Sequence, residues 1–222
     1  LEDTPCYLTY GKGFDNADYQ EGVFVGYRYY TSRKIRTAFP FGYGLSYTTF
    51  EYSDLQMDKK EMSDQENVEV SLKVKNTGNR SGKTVVQLYV EAPETEVVRP
   101  VRELKGFEKI FLEAGEEKTV TFTLNERAFA YWNTQIHDWY AEEGCYRVMI
   151  GENAEQMCLS KEITVHCTKE IPKVYSLNSC MGELMRDPKA QAVMAPFMQG
   201  MTQNEAAADM AEAQENDDSG VI

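Results

Sequence analysis

The chain has 222 residues, room for one domain of ordinary size with flanking pieces. Its 23 Lys and Arg stand against 36 Asp and Glu, a formal charge of −13. That balance repels nucleic acid and anionic membrane surfaces and sets both aside as partners. No run of ~18 apolar residues occurs, and the opening "LEDTPCYLTY" lacks the basic-then-apolar layout of a signal peptide.

Residues 1–38 are too few to fold alone. Within them "YQEGVFVGYRYY" reads as the last strand or edge of something larger, so the chain is expected to be the end of a longer protein. The next stretch, 39–49, opens "FPFGYGLSY". Gly42-Tyr43-Gly44 is followed by no Lys-Ser/Thr and completes no G-x-G-x-x-G, so a phosphate loop is not supported. Pro40 favours an extended residue before it, and Gly42 and Gly44 open backbone conformations closed to other residues. Phe39, Phe41, Tyr43 and Tyr47 supply large apolar area. The expectation is a docking linker, with Phe39, Pro40, Phe41, Tyr43 and Tyr47 as domain-docking residues, feeding a first strand at "TTFEY".

From 50 to 167 strand follows strand. In "NVEVSLKVKN" Val68, Val70, Leu72 and Val74 alternate with Glu69, Ser71, Lys73 and Lys75, the period of a half-buried strand. "NTGNRSG" offers glycines and asparagines for positive φ before "KTVVQLYVEA", which predicts a hairpin. "KGFEKIFL", the glycine turn "EAGEEK" and "TVTFTL" give two more strands, and "RAFAYWN", "HDWYAEEGCYRVMIG" and "KEITVHC" complete about seven, the number of an immunoglobulin-like sandwich. Trp132 and Trp139 are expected in its core or at a corner. The tail, 168–222, is expected to be helical, acidic and partly disordered. Asp187 is placed as an N-cap with Pro188 at the first helical position, and Pro196 is expected to kink or stop that helix. Thr202 and Glu205 mark the start of a second helix.

Five cysteines, Cys6, Cys145, Cys158, Cys167 and Cys180, form no C-x-x-C pair, and their odd number excludes a full disulfide framework. His166, Cys167 and Cys158 lack the paired spacings of structural zinc. Reduced, mostly buried thiols in a cytoplasmic setting are the reading favoured.

Five segments, "YQEGVFVGYRYY", "FPFGYGLSYTTFEY", "VKNTGNRSGKTVVQLYV", "RPVRELKGFEKIFLEAGEEKTVTFTL" and "AYWN", occur in this order. Over roughly Asp18 to Val165 the chain thereby resembles the C-terminal portion of glycoside hydrolase family 3 β-glucosidases. The resemblance implies a mainly β fold: a fibronectin type III-like antiparallel β-sandwich over 50–167, preceded by an extended or strand segment from the end of an α/β domain and followed by the helical tail. It also implies partners, namely upstream barrel and α/β catalytic domains and the carbohydrate substrate of the parent glycosidase. Such a glycosidase needs an aspartate nucleophile and a glutamate acid/base, ~5–5.5 Å apart for retention. The nearest string to the family's nucleophile motif, Ser53-Asp54-Leu55, lies in a predicted strand. No catalytic, substrate-binding or metal residue is carried over and no cofactor is implied. Tyr19, Glu21, Arg28 and Arg33 are read as packing residues at a domain joint. The expected role is non-catalytic: stabilising the catalytic domains and shaping the substrate rim. Two other readings stand beside it, a carbohydrate-binding module using Trp132 and Trp139, and an interaction domain using the methionine-bearing tail.

Overall fold

The computed structural model describes residues 2–9, 11, 19–95, 97–176, 178–198 and 200. They belong to two compact units, Leu1–Ile171 and Pro172–Ile222.

The first unit holds the sandwich. Strands β1 (Phe50–Met57), β3 (Val68–Asn76) and β6 (Glu117–Leu124) form a three-stranded sheet in the order β1-β3-β6. Strands β2 (Glu61–Ser63), β4 (Gly82–Glu91), β5 (Glu103–Leu112), β9 (Gly144–Gly151) and β10 (Met157–His166) form a five-stranded sheet in the order β2-β10-β9-β4-β5. Strands β7 (Tyr131–Asn133) and β8 (Asp138–Tyr140) pair as a hairpin of their own. The pairing is antiparallel except between β2 and β10. Val68, Val70, Leu72 and Val74 of β3 meet Val86, Leu88 and Val90 of β4 in one buried cluster, joined by Val120 and Leu124 of β6 and Tyr146, Val148 and Ile150 of β9. Each such side chain contributes ~1.5–3 kcal/mol through burial, so the period-2 pattern of β3 is also its main source of stability. Tyr146 donates from its hydroxyl to the Glu142 carbonyl at 2.9 Å, the tyrosine-corner contact of immunoglobulin-like sandwiches. Burial pushes its pKa up to about 12.

Several expectations are corrected. Strands β3 and β4 form no hairpin: they lie in opposite sheets, because their apolar faces pack across the core. The connection between them does not use positive φ at Gly78 or Gly82. Asn76, fully buried, organises it instead. Its Nδ2 donates to the carbonyls of Arg80 (2.7 Å) and Leu112 (3.2 Å), and its Oδ1 accepts from Gly78 N (3.1 Å) and the Thr48 hydroxyl (2.6 Å). "RAFAYWN" is a short helix, α2 (Glu126–Phe129), followed by β7, because Asn125 caps it by accepting from Arg127 N at 3.1 Å. "HDWYAEEGCYRVMIG" divides into β8 and β9, and β2 had no clear sequence signal in its three residues.

The "YQEGVFVGYRYY" stretch ends in helix, not strand: α1 spans Tyr27–Arg33. Gly26 at φ 60 turns the chain into it and Lys34, left-handed at φ 55, turns the chain out. Tyr27, Tyr30 and Thr31 share one face at helical spacing, and the Thr31 hydroxyl donates back to the Tyr27 carbonyl at 2.8 Å. The two tryptophans are outside the core proper. Trp132 is 51% exposed on β7, and Trp139 is half-buried against the core's edge on β8. None of the five thiols is buried: Cys145, Cys158 and Cys180 are exposed and the other two half-exposed.

In the second unit α3 (Met181–Leu184) precedes a helical run at 188–198. Asp187 caps that run as expected, its Oδ1 accepting from Lys189 N at 3.0 Å. The run passes through Pro196 without stopping. The expected helix at Thr202 and Glu205 lies outside the described residues.

Candidate domain-docking site

Strand β4 is covered on both faces. Val86, Leu88 and Val90 point to the core, while Gln87 and Tyr89 of the other face are 3% and 0% exposed. Their cover comes from α1 and the aromatic linker. Tyr27 stacks on Phe41 with ring centroids 5.0 Å apart and planes 24° apart, and meets Tyr89 edge-on at 6.0 Å. The Tyr27 hydroxyl accepts from Leu104 N at 2.7 Å, which ties α1 to β5. The Phe41 carbonyl accepts from Ala154 N at 2.8 Å. Beyond it the chain turns at Gly42, φ +82, where a Cβ would run into the Gln87 amide. Gln87 is held by hydrogen bonds at both ends of its amide: its Nε2 donates to the Glu152 carbonyl at 2.8 Å and its Oε1 accepts from the Tyr89 hydroxyl at 2.6 Å. Burial raises the Tyr89 pKa above the usual tyrosine range.

The same segment turns its other side to solvent. Tyr43 N donates to the Pro40 carbonyl at 2.9 Å, closing a turn that brings Phe39 and Tyr43 to 5.2 Å between centroids. Phe39, Leu45 and Tyr47 are 73%, 89% and 92% exposed, and Phe41 and Tyr43 are each about half exposed. Single exposed apolar side chains are ordinary, but a contiguous set marks a contact surface. A pocket of about 230 Å3 lies between this turn and α1, lined by Tyr27, Tyr30, Phe39, Pro40 and Phe41 among others. Of the five residues singled out in the sequence, Phe39, Pro40, Phe41 and Tyr43 are thus brought together, and Tyr47 stands farther along the segment. The linker's far end is fastened by Thr48 to Asn76 and by the Thr49 and Thr77 hydroxyls, 2.9 Å apart.

Sequence reasoning missed Tyr27, Leu45, Gln87 and Tyr89. The available signal was "VVQLYV", six residues of β4 without a charge, which is unlike a strand with one wet face. Arg28 pairs with Glu103 at 3.4 Å, and Tyr19 is 80% exposed. Burial opposes the Glu103 charge, but Lys105, Arg28 and Arg99 together outweigh it and hold the carboxyl below its ordinary range.

A family model for the fibronectin type III-like domain matches residues 84–154, from β4 to just past β9. The thermostable β-glucosidase B of Acetivibrio thermocellus is 50% identical over 202 residues, 91% of this chain and 27% of that protein. A β-glucosidase of Kluyveromyces marxianus is 44% identical over 74% of this chain and 19% of its own length. Among solved structures, the GH3 β-glucosidase of Bifidobacterium adolescentis superposes with a TM-score of 0.75 at 36% identity, covering 87% of this chain and 28% of that one. The chain matches the fibronectin type III-like portion of family 3 β-glucosidases. It spans about a quarter or less of the curated relatives' length in these comparisons, and those relatives are longer β-glucosidases. Asp54, the nearest candidate for a nucleophile motif, lies on β1 of the three-stranded sheet. It sits at φ 52 in the irregular stretch of β1 between Ser53 and Gln56 and pairs with Lys73 at 2.8 Å. Among the described residues no group of three or more His, Cys, Asp or Glu is placed to hold a metal ion.

Proposed function

We propose that this chain is the non-catalytic C-terminal segment of a family 3 glycoside hydrolase of the β-glucosidase type, and that it stabilises the catalytic domains of its parent. Residues 50–167 act as the fibronectin type III-like domain, 1–38 as the end of the preceding α/β domain and 39–49 as the docking linker. The observation that carries this reading is the two-sided linker. It is fixed at Phe41 and Gly42 by Tyr27, Gln87 and Ala154, and its outer side leaves Phe39, Tyr43, Leu45 and Tyr47 73%, 47%, 89% and 92% exposed, with half of the Phe41 side chain open as well. A segment held rigidly from within pre-pays the ordering cost of an interface, so the outer aromatics bind a neighbouring domain without losing backbone freedom. The parent's substrate is a β-linked glucoside, hydrolysed by two carboxylates that the upstream domains supply.

The test is hydrolysis of an aryl β-glucoside by the purified chain alone, and by the chain mixed with the upstream part of the A. thermocellus relative as a separate polypeptide. Turnover in the mixture only is the expected result. Turnover by the chain alone, abolished by changing one of its own carboxylates, overturns the reading.

A further inference from the structure

Between residues 97–105 and the β7–β8 hairpin a cleft of about 460 Å3 opens, within the usual ~300–1,000 Å3 of ligand pockets. Three cations share one carboxylate there: Glu103 lies 3.4 Å from Arg28, 3.5 Å from Arg99 and 3.3 Å from Lys105. The Arg99 and Lys105 side chains are only 9% and 16% exposed, so water does little to screen the excess positive charge. Burial lowers the Lys105 pKa; Glu103 opposes that, while Arg99 and Arg28 add to it. A fourth cation, Arg127, places its guanidinium carbon 3.6 Å from the Trp139 ring centroid. In a chain of net charge −13 this concentration of cations is not a reflection of composition.

The wall is aromatic. Trp132 meets Trp139 edge to face, 5.7 Å between centroids at 74°, and half of its surface stays free. Such a ring offers a flat apolar face to the C–H face of a sugar, while guanidinium and ammonium groups donate short, charge-assisted hydrogen bonds to a carboxylate. Arg99 is already committed to Glu103 and the Phe129 carbonyl, but a neutral sugar offers no anion to Arg127 or Lys105, and an acidic peptide side chain has no ring to lay on Trp132.

We propose that this cleft binds a carboxylate-bearing sugar ring, a uronic acid residue of a saccharide, with the ring over Trp132 and its carboxylate held by Arg127 and Lys105. This goes beyond the docking role and uses a different face of the domain's loops.

The experiment is tryptophan fluorescence and calorimetric titration of the 222-residue chain with a glucuronyl-glucose disaccharide, with cellobiose, acetate and hexaglutamate as comparison ligands. Saturable binding of the uronide at ~1 mM is expected for one ring and one ion pair. W132A and R127Q are each expected to weaken it at least ~10-fold. Both side chains also touch Trp139, so each variant is expected to show a modestly lower urea midpoint while remaining fully folded under the titration conditions. Absence of saturable uronide binding overturns the proposal, as does equal binding of cellobiose or acetate, or tighter binding of hexaglutamate. Uronide binding that survives both W132A and R127Q overturns it as well.

Discussion

Replacing Gly42 with alanine probes the linker where it is pressed hardest onto the sheet. Two costs add. Holding a non-glycine residue near φ +82 costs about 1–2 kcal/mol. The new Cβ also falls on the Gln87 amide, which is fixed by the Glu152 carbonyl and the Tyr89 hydroxyl. Displacing it leaves buried polar groups unpaired at about 1–3 kcal/mol. The expected loss is about 3 kcal/mol, or roughly 6–12 °C in Tm for a chain of this size. The assay is a double-mutant cycle in urea with G42A, Q87A and the double variant. With the glutamine removed, G42A should cost only the backbone part, so the two changes couple by about 1–3 kcal/mol. A loss below about 0.5 kcal/mol for G42A, or the same loss with and without Gln87, would refute this packing of the linker on β4.

Three further outcomes follow from the same geometry. N76A removes the partners of two carbonyls, a backbone amide and a hydroxyl at once, and is expected to lower stability by about 2–4 kcal/mol in urea titrations. Y27F leaves Leu104 N without its acceptor and should cost about 1–2 kcal/mol, with faster hydrogen exchange at that amide. Alkali should destabilise the fold. Tyr146 titrates near 10 when unfolded and near 12 when folded, so the folded state holds its proton more tightly. Its contribution is intact below pH ~10 and is lost as pH rises to ~12, on the order of 2–3 kcal/mol. Tm measured from pH 9 to pH 12 should fall for the unsubstituted chain and fall less for Y146F.

The sandwich itself was legible because β3, β4, β6 and β9 carry their burial in the order of their side chains. Val68 to Val74 alternates so regularly that no other register would bury it. Sheet membership was not legible. A strand–turn–strand string reads as a hairpin, and only the buried Asn76 side chain, bonding across 36 residues to Leu112, reveals a crossing between sheets. The helix α1 was hidden because "GVFVGYRYY" is rich in residues that favour strands, and tertiary contacts of Tyr27 with Phe41, Tyr89 and Leu104 override that preference. The aromatic segment stood out by composition alone. Where its backbone is pinned was not legible, since that depends on Gln87, held by Tyr89, on a strand 45 residues away.

The most direct measurement is calorimetric binding of this chain to the separately expressed upstream part of the A. thermocellus relative, with that enzyme's own matching segment as positive control. It compares the unsubstituted chain with the triple variant F39S, Y43S and Y47S, whose fold is checked by its urea midpoint. The account predicts binding that the triple variant weakens at least ~100-fold, as expected for loss of central aromatic contacts. Equal affinity of the two proteins, or no binding where the control segment binds, would contradict it.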